Sequence, residues 1–263
     1  MSRDSNPPFP TTTAAYPTKT GLLCLLPMPD SPPPQLDDRF AHPWLLQLWQ
    51  QPLVGVIRAQ ESLAQATQQA TVAIQAGIHQ IEITTQVPDY PQLIAQLRQH
   101  YPHCWIGAGT VLNRLMAEEA RQAGAQFLVA PFADADLIAW AVQVGLPIVP
   151  GALTPSEIWA AWRAGATAVK VFPVDSVGGS RYLRHLQQPL GSLPLIPTGG
   201  VTLANAAEYL RAGAWAVGIA GDLFPADASL DTDGHRQKLE NRLRQALMQL
   251  IEMRPFPQKS GLN

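Results

Sequence analysis

Lysine is scarce in this sequence. Only four occur in 263 residues, and between Arg39 and Gln237 there is a single one, Lys170. Basic residues are too few and too scattered, at a net charge of −2, to form a footprint for nucleic acid or an anionic membrane. Two cysteines, Cys24 and Cys104, exclude a disulfide-stapled scaffold. One falls in a proline-rich leader and the other beside an expected strand, so a reducing cytoplasm suits the chain. No apolar run reaches the roughly 18 residues of a spanning helix. Leu22 to Leu26 is short, and it lacks the basic flank and cleavage site of a secretory signal. The six histidines show no metal-ligand spacing, so no metal is expected.

What is present divides in two. Residues 1–40 hold nine of the 25 prolines, with Ser and Thr between them. Such a stretch can neither pair its backbone regularly nor bury enough apolar surface to offset ordering, and it reads as a disordered extension. A peptide ligand, an organelle address or a start at Met28 are other readings of it. Residues 41–254 then alternate between helical and β-branched segments, and 255–263 form a short tail. His42 to Gln50 reads as an amphipathic helix. Gly77, Gly124, Gly145, Gly165 and Gly213 each follow a helical segment, where a left-handed residue ends a helix cheaply. Two of the gaps between them are about 20 residues and two are about twice that, each long gap holding a further unit.

Eight strands are expected: Val54–Arg58, Gln80–Thr84, Trp105–Ala108, Phe127–Ala130, Ile148–Pro150, Ala168–Phe172, Leu195–Pro197 and Ala216–Ile219. Strands alternating with helices imply parallel pairing. Eight such units with short loops predict a single-domain (β/α)8 TIM barrel with a disordered N-terminal extension. The alternative is a doubly wound open sheet. Against it, Arg58-Ala59-Gln60-Glu61 stands where a dinucleotide fingerprint would follow the first strand.

The chemistry is expected where charge interrupts apolar strands. Lys170 stands between two valines, and lysine is rarely buried without a partner or a purpose. Desolvation lowers its pKa far enough for an amine to act as a nucleophile at neutral pH. Glu82 stands between two isoleucines, and the same alternation turns Glu82 and Thr84 inward, across from Lys170. A buried pair that merely offsets its own desolvation is the alternative, although such pairs seldom gain over apolar packing. Arg58 ends strand one and suits a substrate carboxylate, or a rim salt bridge. Gly107-Ala108-Gly109-Thr110 would let a ligand approach the backbone. Thr198-Gly199-Gly200, with a helix expected from Leu203, would cradle an anion. Gly218 to Asp222 follows strand eight, where Gly221 suits a phosphate and Asp222 would repel one unless it points away. Gly178-Gly179 reads as a flexible loop. The tryptophans read as core, interface or surface.

These motifs, in this order, are VGVIRA (54–59), IEITTQVPD (81–89), GAGTVLN (107–113), PGALTPSE (150–157), VKVFPVD (169–175) and PTGGV (197–201). Together they resemble the class I aldolases of 2-keto-3-deoxy-6-phosphogluconate (KDPG) and 4-hydroxy-2-oxoglutarate (KHG). The resemblance spans about Leu45 to Phe224. It implies a (β/α)8 barrel that assembles as a homotrimer, needs no cofactor and no metal, and acts on a small 2-keto acid. It implies Lys170 as the Schiff-base lysine and Glu82 as the acid/base. Thr110, Pro131 and Phe172 would form the pyruvyl pocket, and Thr198, Gly199 and Gly200 the phosphate turn.

Three departures from the family pattern stand out, and the first two bear on the far end of the substrate. Gln86 stands where many members carry an arginine, which leaves Arg58 to hold the pyruvyl carboxylate. Ala220-Gly221 followed by Asp222 replaces a Gly-Ser pair, and Asp175 replaces a glutamate. Fewer anion ligands and added negative charge make a dicarboxylate, cleaved to pyruvate and glyoxylate, a candidate beside the phosphorylated sugar acid. Two other functions remain open from the residues: a phosphosugar epimerase or isomerase, and a barrel that binds a keto acid without turning it over.

Overall fold

The computed structural model describes residues 38–225, 230 and 232–252. Most of the proline-rich extension and the whole C-terminal tail thus lie outside the described residues. Description begins with a 3-10 turn, Asp38–Ala41. Its Phe40 is already buried, edge-on to Trp162 and 5.5 Å from the Trp215 ring.

The chain then runs α1 (Pro43–Gln50), β1 (Leu53–Ile57), α2 (Leu63–Gln75), β2 (Gln80–Thr84), α3 (Tyr90–His100), β3 (Trp105–Gly109) and α4 (Arg114–Gln122). It continues with β4 (Leu128–Val129), α5 (Ala135–Gln143), β5 (Ile148–Val149), β6 (Gly151–Ala152), α6 (Pro155–Arg163), β7 (Val169–Val171) and α7 (Gly179–Leu190). The last elements are β8 (Leu195–Pro197), α8 (Ala206–Arg211), β9 (Val217–Ile219) and α9 (Asp233–Glu252). Local sequence sets many of these boundaries. Ser62, Asn113, Asp134 and Thr154 cap their helices through side-chain oxygens, and Thr154 with Glu157 completes a capping box. The five helix-ending glycines all have positive φ, between 69° and 104°, as their placement predicts.

Every recorded strand pair is parallel, and the sheet curls. Its hydrogen bonds form a six-stranded sheet, β5-β4-β3-β2-β1-β9, and a three-stranded sheet, β6-β7-β8. The strand expected at Ile148–Pro150 is therefore two strands, and Pro150 is the reason: it has no N–H to donate to a ladder. Its carbonyl still accepts from Lys170 N (2.9 Å), so the chain stays tied across the break. At the other seam, a bridge pairs Thr198 with Gly218, and Trp215 N donates to Leu195 O at 2.8 Å.

Two further expectations are corrected. Gly178-Gly179 is no loop: Gly178, at φ 105°, caps α7, which begins at Gly179. The helix expected from Leu203 starts only at Ala206, because Thr202 and Asn205 first close a turn through Thr202 N to Asn205 Oδ1 and Asn205 N to Thr202 Oγ1.

Helix α1 lies across the end of the sheet at which the strands begin. Trp215 Nε1 donates to Leu45 O (2.9 Å), and Trp44 stacks on Phe127 with ring centroids 4.4 Å apart. Gln51 fastens this end through two bonds, Nε2 to Gly77 O (2.8 Å) and His79 N to its Oε1 (2.7 Å). The apolar layer between sheet and helices includes Ile81 and Ile83, both fully buried. Their neighbours Gln80, Glu82 and Thr84 take the concave face by alternation. No helix among the described residues is long and apolar enough to cross a membrane.

Candidate active site

Lys170, in β7, and Glu82, in β2, line one small cavity on the concave side of the sheet. Val54, Val129, Val149 and Ile196 make its apolar wall. Lys170 is 5 % exposed and Glu82 3 %. Burial pushes the lysine pKa down, with the Glu82 charge pulling it back up and the Arg58 charge pushing it further down. Burial pushes the Glu82 pKa up, against the pull of Lys170 and Arg58. The arrangement thus favours the neutral amine a nucleophile needs and a carboxyl able to exchange a proton. Lys170 Nζ also lies over the Phe172 ring, 4.8 Å from its centroid.

The residues expected around this pair fall at the C-terminal ends of the strands. Thr84 is fully buried, with its Oγ1 free of any protein partner. Thr110 follows β3 at φ 56°, a left-handed conformation that costs a β-branched residue about 1–3 kcal/mol. Arg58 follows β1 and is exposed, yet its charge acts on both Lys170 and Glu82. Pro131 is half-buried beyond β4, and its carbonyl lies 2.2 Å from where a side chain on Gly151 would begin. That contact keeps position 151 to glycine.

Two glycines of the Gly107 to Thr110 segment make room for the protein's own side chains. A Cβ on Gly109 would fall 1.9 Å from Glu82 Oε1, and one on Gly107 would fall 2.5 Å from the Phe127 ring. The room they leave is taken by the protein's own side chains. Gly109 is therefore a site residue that turn chemistry alone did not point to.

The glycine turn after β8 is shaped by its neighbours. Gly199, at φ 85°, lets the Phe172 ring approach, and Gly200, at φ 77°, packs on Asp175 Cβ. Asp222 does not face the turn as an unpaired charge. Its Oδ2 accepts from Leu203 N (2.8 Å), and its Oδ1 pairs with Arg242 of α9 at 3.3 Å. The repulsion expected of Asp222 is therefore answered by a cation 20 residues away. Gly221 is exposed beside it, and Gln86 is exposed beyond β2. Among the described residues, no group of three or more His, Cys, Asp or Glu could hold a metal ion.

Residues 46–238 match the family profile described as KDPG and KHG aldolase. The chain belongs to that family. It is an aldolase, a carbon–carbon lyase. A 2-dehydro-3-deoxy-phosphogluconate aldolase of Treponema pallidum is 36% identical over 150 residues, 57% of this chain and 71% of the relative. A KHG/KDPG aldolase of Escherichia coli is 31% identical over 184 residues, 67% of this chain and 83% of the relative. Among solved structures, a 2-keto-3-deoxy-6-phosphogluconate aldolase of Zymomonas mobilis superposes with a TM-score of 0.65 at 28% identity. That match covers 76% of this chain and 93% of the other.

In this aldolase, strand pairing gathers the residues expected at the site. Glu82 sits in register with Gly107, and Lys170 with Gly151 and Ile196. Trp44, which also lines the cavity, is a site neighbour that sequence alone does not separate from the other tryptophans. Its signal was weak, because a tryptophan in an amphipathic helix ordinarily belongs to the core.

Proposed function

We propose that this aldolase cleaves 2-keto-4-hydroxy acids to pyruvate and an aldehyde through a Schiff base on Lys170. The observation that carries the reading is the meeting of Lys170, the one buried lysine among the described residues, with a buried carboxyl in a single cavity. The Lys170 amine adds to the C2 ketone, and loss of water gives an iminium. Glu82 takes the C4 hydroxyl proton as the C3–C4 bond breaks, and the bonding pair flows into the iminium to give an enamine. The aldehyde departs, C3 is protonated, and water returns to C2 to release pyruvate and the free amine. Arg58 grips the pyruvyl carboxylate as a charged fork. Thr84, Thr110, Pro131 and Phe172 enclose the pyruvyl part.

The far end of the substrate lies at Thr198, Gly199, Gly200 and Gly221. Asp175 packs against Gly200, and Asp222 already occupies the Leu203 amide. Both features favour a compact dicarboxylate such as 4-hydroxy-2-oxoglutarate over the phosphorylated substrate. The name KHG/KDPG aldolase of the Escherichia coli relative covers both compounds.

The two sheets are read as one (β/α)8 barrel spanning residues 41–254, seamed at Pro150 and at Thr198. The bonds across both seams support that reading. Exposed Leu112, Leu115, Phe132, Val142 and Trp159, on and around α4 to α6, support assembly with further copies, which we take to be a cytoplasmic homotrimer. The test is chemical. Incubation with pyruvate and borohydride should add one reduced pyruvyl group, mapped to Lys170 by mass spectrometry. A protein that gains no mass there does not work by this mechanism.

A further inference from the structure

On the concave side, four buried polar atoms have no protein partner: Trp44 Nε1, Gln80 Oε1 and Nε2, and Thr84 Oγ1. All three residues are fully buried. An unmet donor or acceptor in such a place costs about 1–3 kcal/mol, and ordered water ordinarily satisfies it. Gln80 and Thr84 flank Glu82 on one face of β2, and Trp44 lines the same cavity as Glu82 and Lys170. The cavity measures about 10 Å³, close to the room one water needs.

We propose that Trp44 is a positioning residue whose indole N–H holds a water in this cavity, against Glu82 and on the side away from the substrate. An indole nitrogen can only donate, so a water bound there keeps both hydrogens for other acceptors. The Glu82 carboxylate is the acceptor that shares the cavity. Gln80, two residues nearer the strand starts, offers a donor and an acceptor to extend the chain of water downward. Stacking on Phe127 fixes the indole, so the water is oriented before substrate arrives. The charged groups facing Glu82 are Lys170 and Arg58. A water donating to the carboxylate adds to their effect and opposes the rise that burial imposes on its pKa.

This inference rests on Glu82 acting as the acid/base, and the test separates the two. Trp44→Phe keeps a stacking ring and removes only the N–H. It should lower kcat roughly tenfold, about the worth of one buried hydrogen bond, and leave KM nearly unchanged. The acid limb of the kcat/KM profile should move to higher pH. Gln80→Met should act in the same direction with a smaller effect. Pyruvate should still be trapped on Lys170 in both variants; failure of trapping in the unsubstituted protein would remove the Schiff-base reading instead. A Trp44→Phe enzyme with unaltered kcat and acid limb overturns the proposal. So does a high-resolution crystal structure with a dry cavity at Trp44 Nε1, which decides the matter even if the variant fails to fold.

Discussion

The two ends of the proposed substrate meet opposite kinds of protein. Around Lys170 and Glu82 the charges are buried, few and short of partners, and burial moves both pKa values toward the neutral forms. Around Gly199 and Gly200 the groups are half-buried and amply paired: Asp222 with Arg242 and an amide, Thr202 with Asn205. Bond-making chemistry needs the first setting, because desolvation is what makes an amine nucleophilic at neutral pH. Selection among substrates needs only the second, where exchanging one partner for another costs little.

The contrast can be broken at its strong end first. Lys170→Met should abolish lyase activity and borohydride trapping together. It should also melt higher than the parent, since a buried amine is a burden to the fold. The sign follows from the lowered pKa. The folded state binds the proton less well than the unfolded chain, so stability falls as pH drops from the ordinary lysine value of 10.5 toward the depressed one. The gain in melting temperature should therefore be larger at pH 6 than at pH 9.

Next in size, Glu82→Gln should cost about 10²–10⁴-fold in kcat, the range for a lost acid/base group, with trapping at Lys170 retained. Gly109→Ala places a carbon where the carboxylate now lies and should approach that loss without touching any charge. Arg58→Met should raise KM roughly 10-fold or more, as a charged hydrogen bond of about 1.5–3 kcal/mol is lost. The smallest effect belongs to the well-paired end. Asp222→Ser should shift the ratio of kcat/KM values toward the phosphorylated substrate by about a factor of ten or less. If the unsubstituted enzyme already prefers the phosphorylated compound, the reading of Asp175 and Asp222 fails.

Those ranks mirror what was legible in the sequence. Lys170 and Glu82 stood out because charge inside a β-branched run is costly, and alternation alone then assigned their face. The helix-ending glycines were legible because positive φ admits little else. What stayed hidden depended on contacts between distant positions. Nothing local announces that Arg242 answers Asp222, or that Gly109 makes room for Glu82. Pro150 was visible as a residue, but its effect depended on a ladder whose partners had to be known first. The late start of α8 came from two side chains that cap their own turn in place of the helix. Trp44 and Gln80 looked like ordinary helix and strand residues, and only their unmet polar atoms, seen in three dimensions, set them apart.

The aromatic group at the strand-start end has one more use. Trp49 and Trp215 lie 4.6 Å apart, with Phe40 packed on Trp215. Rings so close couple their electronic transitions, so this corner should give the chain a strong near-ultraviolet circular dichroism band. That band offers an optical gauge of whether α1 is docked, read without labels and independently of turnover.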